Sequence, residues 1–186
     1  GYRIKLLAIA RATAHGIEQR VHPCLVGLAS PIAHVEGVLN AVVVHGNFVE
    51  STVYEGHGAG AGPTASAVVA DLMDIARGVR VPTFSAPAHQ LKSPQTLPMD
   101  RHRGAYYIRL MVVDRPGVFA DIAAILRDHA VSMESVLQRT RDPGEPVPVV
   151  MTMHDTEEAG MTRALDEIAA VEAIVESPRM IRIEAL

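Results

Sequence analysis

Pro82, Pro87, Pro94 and Pro98 all fall between Val79 and Gly104, together with Ser85, Gln90, Ser93 and Gln95. Proline lacks the backbone donor that helix interiors and central strands need. The polar residues between the prolines offer little to bury. The stretch therefore reads as an extended linker lying along a surface. It divides the chain into an N-terminal block, 1–80, a linker, 81–103, and a C-terminal block, 104–186. With 186 residues in all, each block has the size of a small domain.

Hydrophobic residues at 48% and charged residues at 20% describe a core-forming chain rather than a disordered one. The 17 basic and 21 acidic residues leave a formal charge of −4, which gives no electrostatic case for nucleic acid. No run approaches the roughly 18 apolar residues of a membrane span. Cys24 is the one cysteine, so an internal disulfide or a cysteine zinc site is excluded. These features predict a cytoplasmic protein with neither nucleic acid nor membrane as partner. Residue 1 is Gly, and the chain opens inside an alternating strand pattern, so the sequence reads as a fragment.

The N-terminal block reads as strands followed by one helix. Arg3–Ala10, Ile17–Pro23, Val38–His45 and Phe48–Tyr54 carry strand patterns, with Gly46-Asn47 as a turn, and their order predicts an antiparallel meander. Ala65, Val68, Val69, Leu72, Ile75 and Ala76 form a helical apolar stripe, with Pro63 in the first turn and Gly78 placed to end the helix. Before it lies Gly56-His57-Gly58-Ala59-Gly60-Ala61-Gly62. Glycines let backbone N–H groups approach a ligand, and a helix N-terminus adds donors and a positive dipole end. Two readings stay open: a tight strand-to-helix corner, or a cradle for an anion such as a phosphate. The run is neither a complete dinucleotide fingerprint nor a P-loop.

The histidines, at 15, 22, 34, 45, 57, 89, 102, 129 and 154, show no metal-ligand spacing. Cys24 follows a proline in an apolar strand and does not qualify as a catalytic thiol.

The C-terminal block reads βαββαβ. Strands are predicted at Ala105–Val113, Val131–Thr140, Val147–His154 and Met180–Ile183. Helices carry Phe119, Ile122, Ala123, Leu126 and Ala130, then Met161, Leu165, Ile168 and Ala169, the second capped by Asp155 or Thr156. In the second strand, Val131, Met133, Ser135 and Leu137 are expected on one face and Ser132, Glu134, Val136 and Gln138 on the other. This is the ferredoxin-like arrangement, an antiparallel sheet with its helices on one face. The whole chain is thus α+β: antiparallel strands with a closing helix, then a ferredoxin-like domain. Its informative turn is Asp114-Arg115-Pro116-Gly117, where freed N–H groups at the helix start can hold a carboxylate. Gln138, Ser135 and Glu134 are candidates to complete a pocket. The plainer reading is that Pro-Gly is simply a good turn.

Asp114-Arg115-Pro116-Gly117-Val118-Phe119-Ala120-Asp121-Ile122 and Val131–Gln138 resemble an ACT domain, an amino-acid-sensing module. Gly1–Leu7, Gln19–Pro23, Asn40–Val44 and Gly58–Ala65 leading into Asp71 resemble the C-terminal half of the homoserine dehydrogenase family. The resemblance implies a parent reaction, reversible hydride transfer between NAD(P)H and aspartate 4-semialdehyde to give homoserine. It implies that the nucleotide domain and the catalytic lysine precede this segment, so no catalytic residue is assigned within 1–186, Lys5 included. The family's nucleotide contact maps onto Gly60, and no cofactor is expected to bind the fragment tightly. Threonine is the implied effector, at Asp114, Gly117, Val118 and Gln138, and a homo-oligomer is the implied assembly. The competing reading is a non-enzymatic amino-acid-binding regulator, which an upstream dinucleotide fingerprint would exclude.

Overall fold

The computed structural model describes residues 1–139 and 142–186. The chain packs as two units, residues 1–27 with 95–186, and residues 28–94. This division by packing differs from the division by composition at 81–103.

The first unit is built on a six-stranded sheet. β1 (Tyr2–Thr13) and β2 (Gly16–Gly27) form a hairpin in unbroken register, from Tyr2 opposite Gly27 to Thr13 opposite Gly16. Gly16 is required at the turn. Its φ is +139°, and a Cβ there would run into the Gln95 carbonyl. That carbonyl accepts from the Ile17 N–H at 2.8 Å, and the Leu97 N–H donates to the Ile17 carbonyl at 3.0 Å. The end of the proline-rich stretch is thereby laced to β2.

β5 (Arg103–Val113), α2 (Val118–Asp128), β6 (Met133–Gln138), β7 (Pro146–Glu157), α3 (Glu158–Ala169) and β8 (Arg179–Glu184) follow in the expected βαββαβ sequence, numbered after two strands of the other unit, β3 (Leu39–Gly46) and β4 (Glu50–His57). The strand order is β1-β2-β8-β5-β7-β6, whose last four members have the ferredoxin-like arrangement. Tyr106, Ile108, Leu110 and Val112 alternate inward on β5, as do Val147, Val149, Met151 and Met153 on β7. Both sets bury against Val118, Ile122, Ile125 and Leu126 of α2 and Met161, Ala164 and Ile168 of α3.

Several expectations are corrected. The α2 stripe runs through Val118 and Ile125 rather than Phe119 and Ala130. Ala130 lies beyond the helix with φ +56°, while the Val131 N–H returns to the Leu126 carbonyl at 2.8 Å. Ala130 thus occupies the left-handed closing position that glycine usually takes. β7 continues through Asp155 and Thr156, so neither caps α3; Glu157 holds that position. In β6, a register shift between Met133 and Ser135 breaks the alternation. Met133, Val136 and Gln138 therefore pair with inward residues of β7, and Ser135 and Leu137 with outward ones. Thr140, the expected end of this strand, lies outside the described residues.

The predicted meander is also corrected. β2 pairs with β8 in parallel, through Cys24–Arg182, Leu25–Ile183 and Val26–Glu184, and not with β3.

In the second unit, β3 and β4 form a hairpin closed by Asn47, Phe48 and Val49, so β4 starts at Glu50 rather than Phe48. α1 (Ala61–Ala76) follows, and Gly78, at φ +75°, ends it as expected. The apolar stripe of α1 is not buried; Ile75 is 71% exposed.

Candidate functional site

The turn after β5 is built by three backbone conditions. Pro116 limits the entry, Gly117 adopts φ +96°, and α2 begins at Val118 with no side chain capping its first turn. A Cβ on Gly117 would meet no atom within 4 Å. Glycine is therefore needed for conformation, and the space beside it is open. The Asp121 N–H returns to the Gly117 carbonyl at 3.1 Å, so the uncommitted donors belong to the residues before it. Val118 turns its side chain into the core and offers only backbone outward.

Asp114 has a structural task in this turn. Its Oδ2 accepts from the Asp142 N–H at 3.0 Å, its N–H donates to the Glu145 carbonyl at 3.0 Å, and its carbonyl accepts from the Gly144 N–H at 3.0 Å. The turn before α2 and the turn before β7 are thus clipped together.

Gln138 lies apart from them. It is aligned with Val149, which is aligned with Leu110 of β5. Two strand spacings across and three residues along place it on the order of 14 Å from Val113, where the turn begins. Asp114, Gly117 and Val118 are brought together, and Gln138 of the same chain is not.

The glycine corner of the second unit has Gly60 at the N-cap of α1 with φ +125°, a conformation that favours glycine. A Cβ on Gly58 would collide with the Asn40 amide, so that glycine serves packing. Gly56 and Gly62 differ: a Cβ on either would meet nothing within 4 Å. The first turn of α1 carries no acidic residue. Open backbone donors at an uncapped helix start suit an anion.

A third cluster, not anticipated from the sequence, lies where β2, β8, β5 and α3 meet. Arg20 binds Glu184 through two nitrogens, at 2.9–3.2 Å, and Glu18 at 2.7 Å. The Arg20 and Glu184 side chains are only 2% and 3% exposed. Glu158, at the start of α3, accepts from Tyr106 Oη at 3.0 Å and from Arg182 Nε at 2.8 Å. Burial alone would raise the Glu158 pKa, but the hydrogen bonds and charge of Arg182 and the Tyr106 hydroxyl hold it below its ordinary value. Burial, with Glu158 beside it, pushes the Tyr106 phenol up. Burial, reinforced by Glu184, pushes the Cys24 thiol up to about 11. That thiol is protonated at neutral pH, as expected of a structural cysteine. The available signal was the alternation Glu18-Arg20-His22-Cys24 and Arg182-Glu184, which puts each charged set on one strand face.

No group of histidine, cysteine, aspartate and glutamate suited to a metal occurs among the described residues. No helix among them is long and apolar enough to cross a membrane.

Residues 1–73 match the family model for homoserine dehydrogenase, and residues 106–173 match that for the ACT domain. The whole chain aligns at 42% identity with 44% of a homoserine dehydrogenase from Neisseria gonorrhoeae. It aligns at 40% identity with 44% of one from Pseudomonas aeruginosa. The crystal structure of a homoserine dehydrogenase from Thiobacillus denitrificans superposes with a TM-score of 0.89 at 44% identity, over 99% of this chain and 43% of that one. The chain thus spans less than half the length of the relatives it matches.

Proposed function

We propose that the chain, a member of the homoserine dehydrogenase family with an ACT domain in its C-terminal half, is the C-terminal portion of an enzyme interconverting aspartate 4-semialdehyde and homoserine with NAD(P). The ACT domain is its amino-acid sensor, and threonine its effector. The observation that carries the sensing role is the glycine start of α2, where no side chain caps the first turn and the space beside Gly117 is open. The effector's carboxylate sits on the N–H groups of Gly117 and Val118. Asp114 shapes the turn and offers negative charge to the effector's ammonium group. Gln138 comes from a neighbouring copy, since its own chain holds it too far away. The assembly is accordingly a homo-oligomer, and the exposed apolar faces of β1 and α1 favour one.

The residues present fit one part of a dinucleotide. Gly60 and the donors that follow it suit a phosphate, and a nicotinamide cofactor, when bound, supplies the hydride. Among the described residues the only parallel strand pair is β2 with β8, and no parallel βαβ unit accompanies the corner. This corner alone is expected to hold the cofactor weakly. Residues 1–186 are therefore expected to give no homoserine-dependent reduction of NAD(P), because one side of the reacting geometry is not among them. Turnover at ordinary enzyme rates would overturn this part of the reading.

Titration calorimetry of the 186-residue chain tests the sensor. Threonine is expected to bind at one site per chain, serine more weakly and methionine not at all. Absence of any threonine binding would remove the effector assignment.

A further inference from the structure

We propose that the β1–β2 hairpin is fastened to the C-terminal sheet by an acid-sensitive ionic latch, which loosens when His102 takes up a proton. The ladder that joins them is short, with parallel pairing only from Cys24 to Val26. Beyond it, the contact depends on side chains, chiefly Arg20 of β2 with Glu184 of β8, and Glu18 of β2 holds that arginine in place. His102, only 4% exposed, sits beside this pairing, just before β5.

Its Nδ1 has no hydrogen-bond partner and lies 3.6 Å from Oε2 of Glu18. That oxygen is already held by Arg20 at 2.7 Å. His22 has the matching arrangement, with an unpartnered Nε2 at 3.9 Å from Glu184. The ring of His102 is boxed in. A Cβ on Gly104 would lie 2.9 Å from its Nε2, and the Tyr106 ring meets it edge-on at 6.5 Å. Its backbone carbonyl accepts the Glu158 N–H at 2.8 Å, which ties it to the start of α3.

The charged groups facing the imidazole are Glu18 and Arg20 from β2, Glu184 from β8 and Glu158 from α3. Each carboxylate is engaged by an arginine: Glu18 and Glu184 by Arg20, and Glu158 by Arg182. A new cation must therefore compete for them while buried. Burial first, then the Arg20 charge, lowers the His102 pKa from its ordinary 6.5. A basic group depressed in the closed seam binds more protons when the seam opens. Stability of the closed form is thus full above about pH 6.5 and declines as pH falls below it. A cleft of about 200 Å³, lined by Arg11, His102, Gly104, Asp155 and Glu184 among others, gives the proton a route.

Cys24 reports the seam directly. It is the chain's one cysteine, fully buried, and opposite Arg182 in the ladder. Its reaction with 4,4′-dithiodipyridine, divided into the rate for the denatured chain at the same pH, measures protection. Between pH 7.5 and 5.5 protection is expected to fall by about threefold to tenfold, tenfold being the ceiling for one imidazole of ordinary pKa near 6.5. His102→Gln should flatten the response. Glu18→Gln, which strips away the nearest carboxylate, should steepen it. Equal protection at both pH values in the unaltered chain would overturn the latch. So would an undiminished fall in His102→Gln, or an unchanged or shallower one in Glu18→Gln.

Discussion

Glu184→Gln is expected to destabilise the first unit by about 3 kcal/mol, read as a lower urea midpoint with unchanged slope. Removing one member of a buried ion pair leaves the other charge desolvated and unmatched, which typically costs about 3–5 kcal/mol. The lower end applies here because Glu18 still holds Arg20. Both members of the deleted pair are nearly inaccessible, so solvent screens them little. The triple change Glu18→Gln, Arg20→Met and Glu184→Leu should recover most of the loss, because it leaves none of the three charges buried alone. Replacing a buried pair by apolar groups removes the desolvation penalty together with the attraction. A loss under about 0.5 kcal/mol in Glu184→Gln would show that the pair is dispensable, as exposed pairs commonly are.

The C-terminal block was legible because its strand alternation and its burial agree. Tyr106, Ile108, Leu110 and Val112 occupy one strand face, and helices cover that face. In the β1–β2 hairpin the two signals disagree. Ile4, Leu6 and Val21 look like core residues and point outward, with Leu6 71% exposed. The inward face carries Glu18, Arg20 and His22. Alternation establishes which residues share a face and not which face is covered, so the pattern alone does not choose the side. Pairing of β2 with β8 joins segments about as distant in sequence as this chain allows, as in Arg20 with Glu184. No local signal announces such a contact. The turn at Gly117 was readable for the opposite reason: its Pro-Gly chemistry is local, and so is the geometry that chemistry imposes. The position of Gln138 depends on the register of two strand pairs and a bulge, none of which the local sequence specifies.

Gly117→Asp is expected to abolish threonine binding to the ACT domain, a loss of at least a hundredfold, while leaving the fold intact. Gly117 has φ +96°, where most side chains are strained, but aspartate and asparagine tolerate left-handed backbone better than other residues. A Cβ there meets no protein atom within 4 Å, and an aspartate at an N-cap favours the helix it starts. The substitution strains the backbone at 117, a demand that Gly117→Asn shares, and it is severe for an anionic ligand. It puts a carboxylate where the effector's own carboxylate belongs, and it occupies the donors with an internal acceptor. Gly117→Asn separates charge from bulk. It carries nearly the same shape and backbone demand without the negative charge, and should bind threonine with an intermediate loss. Gln138→Ala should weaken binding by about 1 kcal/mol, the usual scale of one hydrogen bond and about fivefold in affinity. Because that glutamine is to come from a second copy, its effect should disappear at protein concentrations where the chain is monomeric, whereas the effect of Gly117→Asp should persist. Calorimetry across a concentration series distinguishes them. Equal affinity of all three variants and the unaltered chain for threonine would place the effector elsewhere.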